Sequence, residues 1–267
     1  MKFMSVAEGV EFLVSDGDTV ALEGFVDLLP MAAGHEIIRQ GKRDLTLVRM
    51  SIDLVYDQLI GAGCASTLVF AWGGNPGLGT LHRFRDAVEN DWPGALEIEE
   101  HSDAGMVNRY SAGASGSPFA ILRSYLGTDL PSQSTSAKFM TCPFTGVEVV
   151  ALPALNPDVT VLHAQRADRA GNVQFWGVRG AQREAALAAR RTLVTVEEVV
   201  DRLERMPGDV VLPSWAVDVV AVSAGGAAPS HVPGYYERDG GAYTEWGRLS
   251  RDRAAFGAWL TELKAGR

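Results

Sequence analysis

The chain has 267 residues, 46% of them hydrophobic, enough to bury a substantial core. Its 33 acidic against 24 basic residues leave a formal charge of −9, which excludes the basic stripe that nucleic-acid phosphates require and disfavours docking on anionic lipid. No apolar run approaches the ~20 residues of a membrane span, the first residues lack the apolar core of a signal peptide, and the distant pair Cys64 and Cys142 has no metal-ligand spacing. A cytoplasmic protein with reduced thiols, without metal, nucleic-acid or membrane partners, is the expectation.

Ser5-Val-Ala-Glu8 fits a capping box, and Val6, Val10 and Leu13 share one face of the helix that follows. Gly17 ends that unit and Thr19–Leu22 reads as a strand. A helix over Met31–Gln40, closed by Gly41, precedes the strand Leu45–Arg49. The alternation repeats as helix Asp53–Ala62, strand Thr67–Ala71, helix Leu81–Asn90, strand Leu96–Glu99, helix Asp103–Ala114 and extended Pro118–Leu122. Residues 127–147 break the rhythm with Ser, Thr, Asp, Pro and Gly, and read as a long irregular loop. Val159–Ala164 and Val173–Trp176 are apolar strands around the turn formers Asp168, Gly171 and Asn172, which predicts a hairpin. Helix Ala181–Arg190, strand Thr192–Val196, a late strand near Asp218–Val222 and a closing helix Ser250–Lys264 complete the pattern. Strands alternating with helices in this way predict an α/β fold, an open and mostly parallel sheet with helices on both faces, organised as one domain over residues 1–267.

Two stretches are placed to do chemistry. Phe70-Ala-Trp-Gly-Gly-Asn-Pro-Gly-Leu-Gly79 follows a predicted strand, and ligands of open α/β sheets gather at the carboxyl ends of strands. Gly73 and Gly74 let backbone approach a ligand, Trp72 can cover an apolar chain, and Asn75 adds a polar group. No Gly-Lys-Ser/Thr follows, so this is not a phosphate-binding loop; a tight turn with Trp72 in the core is the competing reading. In Glu97-Ile-Glu-Glu-His-Ser-Asp103, alternation puts Glu97 and Glu99 on one face and Glu100 on the other. Glu100 and His101 are candidates for a ligand site, and Ser102 or Asp103 can equally cap the next helix. His163 reads as a buried, hydrogen-bonded imidazole. His35 and His82 sit on predicted helices without an acidic or metal-ligand partner at useful spacing, His231 falls in a Pro-rich loop that could face a partner subunit, and no Gly-x-Ser-x-Gly elbow is present.

The wording of the hairpin, His163-Ala-Gln followed by Asp168-Arg-Ala-Gly-Asn-Val173 and Trp176-Gly177, resembles the alpha subunits of family I CoA-transferases of the glutaconate CoA-transferase type. Asp16-Gly-Asp-Thr-Val-Ala-Leu-Glu-Gly-Phe25 is similar to the family's opening signature, with Glu23 where a glycine is usual. Asp218–Val222 and Gly225–Ser230 resemble its late strand and loop, with Ala228 replacing a histidine. The resemblance implies a CoA-transferase/NagB-like fold and a heterodimer or α2β2 assembly. It also implies covalent catalysis by a glutamate of a separate beta subunit on a CoA thioester, with no bound cofactor. No Ser-Glu-Asn-Gly segment of the kind that carries this glutamate occurs here. Val88-Glu-Asn-Asp91 is the nearest match and sits on a predicted helix. The resemblance makes Gly24, Phe25, Trp72, Gly73, Gly74 and Asn75 the wall of an acyl pocket. Related scaffolds hydrolyse steroid-derived CoA thioesters or decarboxylate glutaconyl-type thioesters. The run from Asp103 to Arg123 is similar to the hydrolase segment, which implies Asp103 as base and Arg123 as a bidentate carboxylate anchor.

Overall fold

The sequence alternates apolar strands with amphipathic helices, and eight of the strands find parallel neighbours. A computed structural model describes residues 1–266. In chain order its first elements are β1 (Lys2–Phe3), α1 (Val6–Leu13), β2 (Thr19–Glu23), α2 (Met31–Arg39), β3 (Leu45–Ile52) and α3 (Leu54–Gly61). β4 (Ala65–Gly73), α4 (His82–Asn90), β5 (Glu97–Glu100) and α5 (Asp103–Ala114) follow. A smaller unit then contains β6 (Phe119–Leu122), α6 (Leu130–Gln133), β7 (Lys138–Thr141) and β8 (Glu148–Pro153). The chain returns through β9 (Val159–Asp168), β10 (Val173–Phe175), α7 (Gln182–Ala188), β11 (Arg191–Val200), β12 (Val210–Leu212) and β13 (Val219–Val222). It ends in α8 (Gly240–Leu249) and α9 (Arg253–Lys264).

Eight parallel strands run in the order β1-β13-β11-β9-β2-β3-β4-β5, and β10 pairs antiparallel with both β9 and β12. The first half of the chain builds outward from β2 to β5, and the second half builds outward from β9 the other way. The two halves meet where β2 pairs with β9, Val20 opposite Val159 and Glu23 opposite Leu162. Such a reversal opens a crevice outside the carboxyl ends of the strands, where ligands of this class of sheet bind.

Alternation along the strands divides the core. Val20, Leu22, Leu47 and Leu68 pack with Val10, Ile37, Val55, Leu59 and Phe256 on one face. Ala21, Val48 and Val69 pack with Met106 and Tyr110 of α5 and Ala185 of α7 on the other. Burial of each large aliphatic side chain contributes about 1.5–3 kcal/mol. Helices therefore cover both faces, as the alternation predicts. The capping box forms, Glu8 N donating to Ser5 Oγ at 3.2 Å and Ser5 N to Glu8 Oε2 at 2.8 Å. The predicted hairpin also forms, with Gly171 at φ +84°.

Residues 127–147 are not one irregular loop. They carry α6 and β7, and β7 joins β6 and β8 in an antiparallel three-stranded sheet. Four-residue strands between turn formers are too short to reveal a period. Helix α8 is also additional to the sequence reading. Gly240-Gly241 reads as a helix breaker, but Asp239 accepts from Ala242 N at 3.0 Å, and Tyr243 and Trp246, three apart, are buried against the core. The closing helix starts at Arg253 rather than Ser250, because Asp252 caps it and Ser250 ends α8.

Candidate active site

A cavity of about 160 Å³ opens at the carboxyl ends of β2, β3, β4 and β5. Phe25 and Val26 line it from the loop after β2, Ser51 and Asp53 from the end of β3, Trp72, Gly74 and Pro76 from the end of β4, and Asp103 from the start of α5. Trp72 is 46% exposed, so it covers the opening and is not a core residue. Asn75 is buried in the same turn with its Oδ1 unpartnered, and Gly73 closes β4.

The loop after β2 is strained and held. Val26 and Leu28 adopt φ of +65° and +59°, left-handed values that cost a β-branched or bulky residue about 1–3 kcal/mol. Phe25 N donates to Asp27 O at 3.1 Å, Asp27 N to Phe25 O at 2.7 Å and Leu28 N to His231 O at 3.0 Å. Val178 N donates to the Asp27 carboxylate at 3.1 Å. Gly24 is obligatory here, since a Cβ would stand 2.7 Å from the Leu28 carbonyl oxygen. The loop thus carries Phe25 and Val26 into the cavity on a fixed backbone.

Beneath the cavity lies a buried charge cluster. Arg49 on β3, 1% exposed, donates from Nη1 to Asp53 Oδ1 at 2.9 Å, and its Nη2 lies 2.8 Å from Oδ2. Nη2 also donates to the Gly24 carbonyl, tying the strained loop to β3. Asp53 in turn caps α3. Burial opposes the Arg49 charge, but Asp53 and Glu23 more than offset it and hold the guanidinium protonated. Glu23, equally buried, has an oxygen without a partner, and burial pushes its carboxyl up to about 7 against the pull of Arg49. Arg49, Ser51, Asp53 and Val26 are not among the candidates read from the sequence. The available signal was a charge inside an apolar strand, Leu45-Thr-Leu-Val-Arg-Met-Ser-Ile52, which in a parallel sheet covered on both faces demands a buried counter-ion.

The other expected site residues fall around this cavity in different ways. Ser102, not Asp103, caps α5, accepting from Gly105 N at 3.0 Å, so the Asp103 side chain is left facing the cavity at the helix N-terminus. His101 is 2% exposed and belongs to a network outside the lining: Nε2 lies 2.7 Å from Glu99 Oε1 and Nδ1 3.0 Å from Tyr125 Oη. Tyr125 Oη also accepts from Ser102 N, and Arg109 Nη1 contacts the same His101 Nε2. Glu99 also accepts from Arg109 at 3.0 Å and Ser136 at 2.8 Å, which fastens the small sheet to the large one. The His101 hydrogen bond, then the Arg109 charge and Ser136, hold Glu99 down to about 2. Glu100 is exposed at the end of β5, and Arg123 is exposed on the turn after β6; neither lines the cavity. His163 is buried, 2.9 Å from Thr195 Oγ1 and 2.8 Å from Glu197 Oε1, consistent with a structural role. Among the described residues no group of three His, Cys, Asp or Glu side chains is arranged to hold a metal, and no helix is long and apolar enough to cross a membrane.

A strained loop, a glycine-rich turn and a small cavity at the reversal of a parallel sheet are shared by many enzymes. The chain's relatives decide between them. Residues 3–223 match the coenzyme A transferase family model. The chain belongs to the coenzyme A transferase family. It is 59% identical over 265 residues to the A-type subunit of 3-oxoadipate CoA-transferase from Pseudomonas knackmussii, covering 99% of this chain and 94% of that one. The solved structure of glutaconate coenzyme A-transferase from Acidaminococcus fermentans superposes with a TM-score of 0.91 at 30% identity, covering 98% of this chain and 88% of that one. A variant of the decarboxylase AibA/AibB superposes with a TM-score of 0.84 at 30% identity, covering 97% of this chain and 98% of that one. This CoA-transferase chain is an A-type subunit, and the mostly parallel α/β sheet expected from its resemblance to glutaconate-type alpha subunits is the one observed.

Proposed function

We propose that this chain forms the acyl pocket of a CoA-transferase that moves CoA from an acyl-CoA to a dicarboxylic acid of the 3-oxoadipate class. The glutamate nucleophile comes from a separate beta subunit. The supporting observation is the apolar cavity at the carboxyl edge of β2–β5, walled by Phe25, Val26, Trp72 and Pro76, in a chain whose relative at 59% identity is the A-type subunit of a 3-oxoadipate CoA-transferase. The beta-subunit glutamate attacks the thioester carbonyl and expels CoA thiolate, leaving a mixed anhydride; the thiolate then attacks the glutamyl carbonyl, which releases the donor carboxylate and leaves an enzyme–CoA thioester. The acceptor carboxylate takes the donor's place, receives CoA and frees the glutamate. Gly24, Phe25, Trp72, Gly73, Gly74 and Asn75 shape the acyl binding surface, and a fixed loop orients the acyl chain without reorganisation. Free Cys64 and Cys142 suit a cytoplasmic complex, which we take to be a heterodimer or α2β2. When the co-purified complex is incubated with acyl-CoA, its beta chain should gain the mass of CoA, less water. A complex that transfers CoA with no such adduct, or with one on this chain, would contradict the division of labour.

One observation favours a second reading, hydrolysis or decarboxylation of a CoA thioester. Asp103 faces the cavity and is not engaged in capping, so it is placed to act as a base; Arg123 does not line the cavity and has no part in this reading. Replacing Asp103 separates the two readings, because the transferase nucleophile lies elsewhere.

A further inference from the structure

We propose that Ser51 donates a hydrogen bond to the 3-oxo group of the acyl chain, so that this chain selects 3-oxo acids over their saturated counterparts. This rests on the CoA-transferase reading above and adds the group that would recognise the ketone. Ser51 is the next-to-last residue of β3 and lies opposite Trp72 of β4 in the parallel register. Both residues line the cavity at the carboxyl edge of the sheet. Ser51 is half-buried, and its hydroxyl makes no hydrogen bond with any described residue. Its oxygen is also absent from the buried polar atoms sealed away without a partner, so the free hydroxyl is accessible from the cavity that the residue lines.

The rest of the lining fixes what kind of group can meet that hydroxyl. Phe25, Val26, Trp72 and Pro76 present apolar surface suited to methylene groups. No lysine, arginine or histidine lines the cavity, whereas Asp53 and Asp103 do. A carboxylate placed there would face two acids with no cation, so the stretch of acyl chain against this wall is uncharged. Asp53 has both oxygens engaged by Arg49, and the amide of Gly74 already donates to the Ile52 carbonyl at 3.0 Å. The side-chain donors of the lining are therefore the Ser51 hydroxyl and the Trp72 indole. Trp72 lays its six-membered ring against Gly74, where a Cβ would stand 2.7 Å from Cη2, and covers the opening. Ser51 is thus a neutral donor set in an apolar wall, the complement of a neutral acceptor set in an apolar chain. In 3-oxoadipate, for which the relative at 59% identity is named, that acceptor is the ketone at C3, flanked by methylenes on both sides. A donor fixed on a strand, with no protein partner to give up, makes this bond without reorganisation and leaves nothing to bind when the oxygen is missing.

The test uses the purified complex of this chain with its beta partner, and compares 3-oxoadipate with adipate as acceptors of CoA from one acyl-CoA donor. The two acids have equal length and both carboxylates, and differ in the C3 oxygen. The readout is the ratio of their kcat/KM values, which does not depend on the fraction of folded enzyme. Wild type should prefer 3-oxoadipate, and Ser51→Ala should lower the ratio about 5- to 150-fold, the worth of leaving one desolvated polar group unpaired. Ser51→Thr, which keeps the hydroxyl, should restore part of it. A Ser51→Ala complex that loses activity on both acids alike, with the ratio lowered less than about fivefold, would place the hydroxyl on a group the acids share and overturn the assignment. A wild type that transfers CoA to both acids equally would overturn the selection of 3-oxo acids while the transferase reading stands. A wild type that transfers CoA to neither would refute that reading and the Ser51 assignment with it.

Discussion

Replacing Asp53 with alanine removes one half of a buried ion pair and a helix cap in the same step. Arg49 is 1% exposed and Asp53 5%, with contacts of 2.8 and 2.9 Å between them. A buried charge left without its partner costs about 3–5 kcal/mol, and loss of the cap on α3 adds about 1 kcal/mol. At about 2–4 °C per kcal/mol for a chain of this size, the melting temperature should fall by about 8–24 °C. The assay is a thermal melt of the purified complex for wild type, Asp53→Ala, Arg49→Met and the double variant Arg49→Met/Asp53→Leu. Because the double variant removes both charges and refills the space, it should lose much less than the two single variants together. Asp53→Ala melting within about 3 °C of wild type, or a double variant equal to the sum of the singles, would refute the claim that this pair holds the cavity floor.

Trp72→Ala should lower kcat/KM for transfer by about tenfold to a hundredfold without loss of assembly, measured by steady-state kinetics; an unchanged value would remove Trp72 from the acyl wall. Asp103→Asn and Arg123→Met should each keep CoA-transfer turnover within about tenfold. A loss of about a hundredfold in thioester hydrolysis or decarboxylation by Asp103→Asn, with an intact complex, would favour the hydrolase or decarboxylase reading. Glu23 binds a proton in the folded state between its ordinary 4.5 and about 7, where the unfolded chain has released it, so stability falls as pH rises across that window. Glu23→Gln should abolish this fall, gaining on wild type by on the order of 3 kcal/mol between about pH 4 and pH 8, as read from melts at the two pH values. Equal pH profiles would show that Glu23 titrates normally.

The α/β alternation was legible because each strand and helix pair carried its own period and its own stop, as in the Ser5–Glu8 cap and the Gly41 turn. The small sheet was not, because β6 and β7 are four residues each and gain stability only by pairing with β8. The cavity was half legible. Gly74 and Trp72 announce themselves as a glycine-rich turn after a strand, and Asp103 as a polar residue at a strand-to-helix junction. Its floor was hidden, since Arg49 and Asp53 become partners only when β3 ends and α3 starts beneath the loop of β2. His101 illustrates the converse: a histidine at the carboxyl edge of the sheet is drawn inward by Glu99 and Tyr125, the latter 24 residues away along the chain.

The most direct test of the account is a side-by-side measurement of CoA transfer from an acyl-CoA to 3-oxoadipate by this chain alone and by the same chain co-purified with its beta partner. The account predicts turnover by the complex and none above background by the lone chain, because the acyl pocket is here and the nucleophile is not. Robust transfer by the lone chain, or a complex that leaves 3-oxoadipate untouched while cleaving the thioester to free CoA, would contradict it.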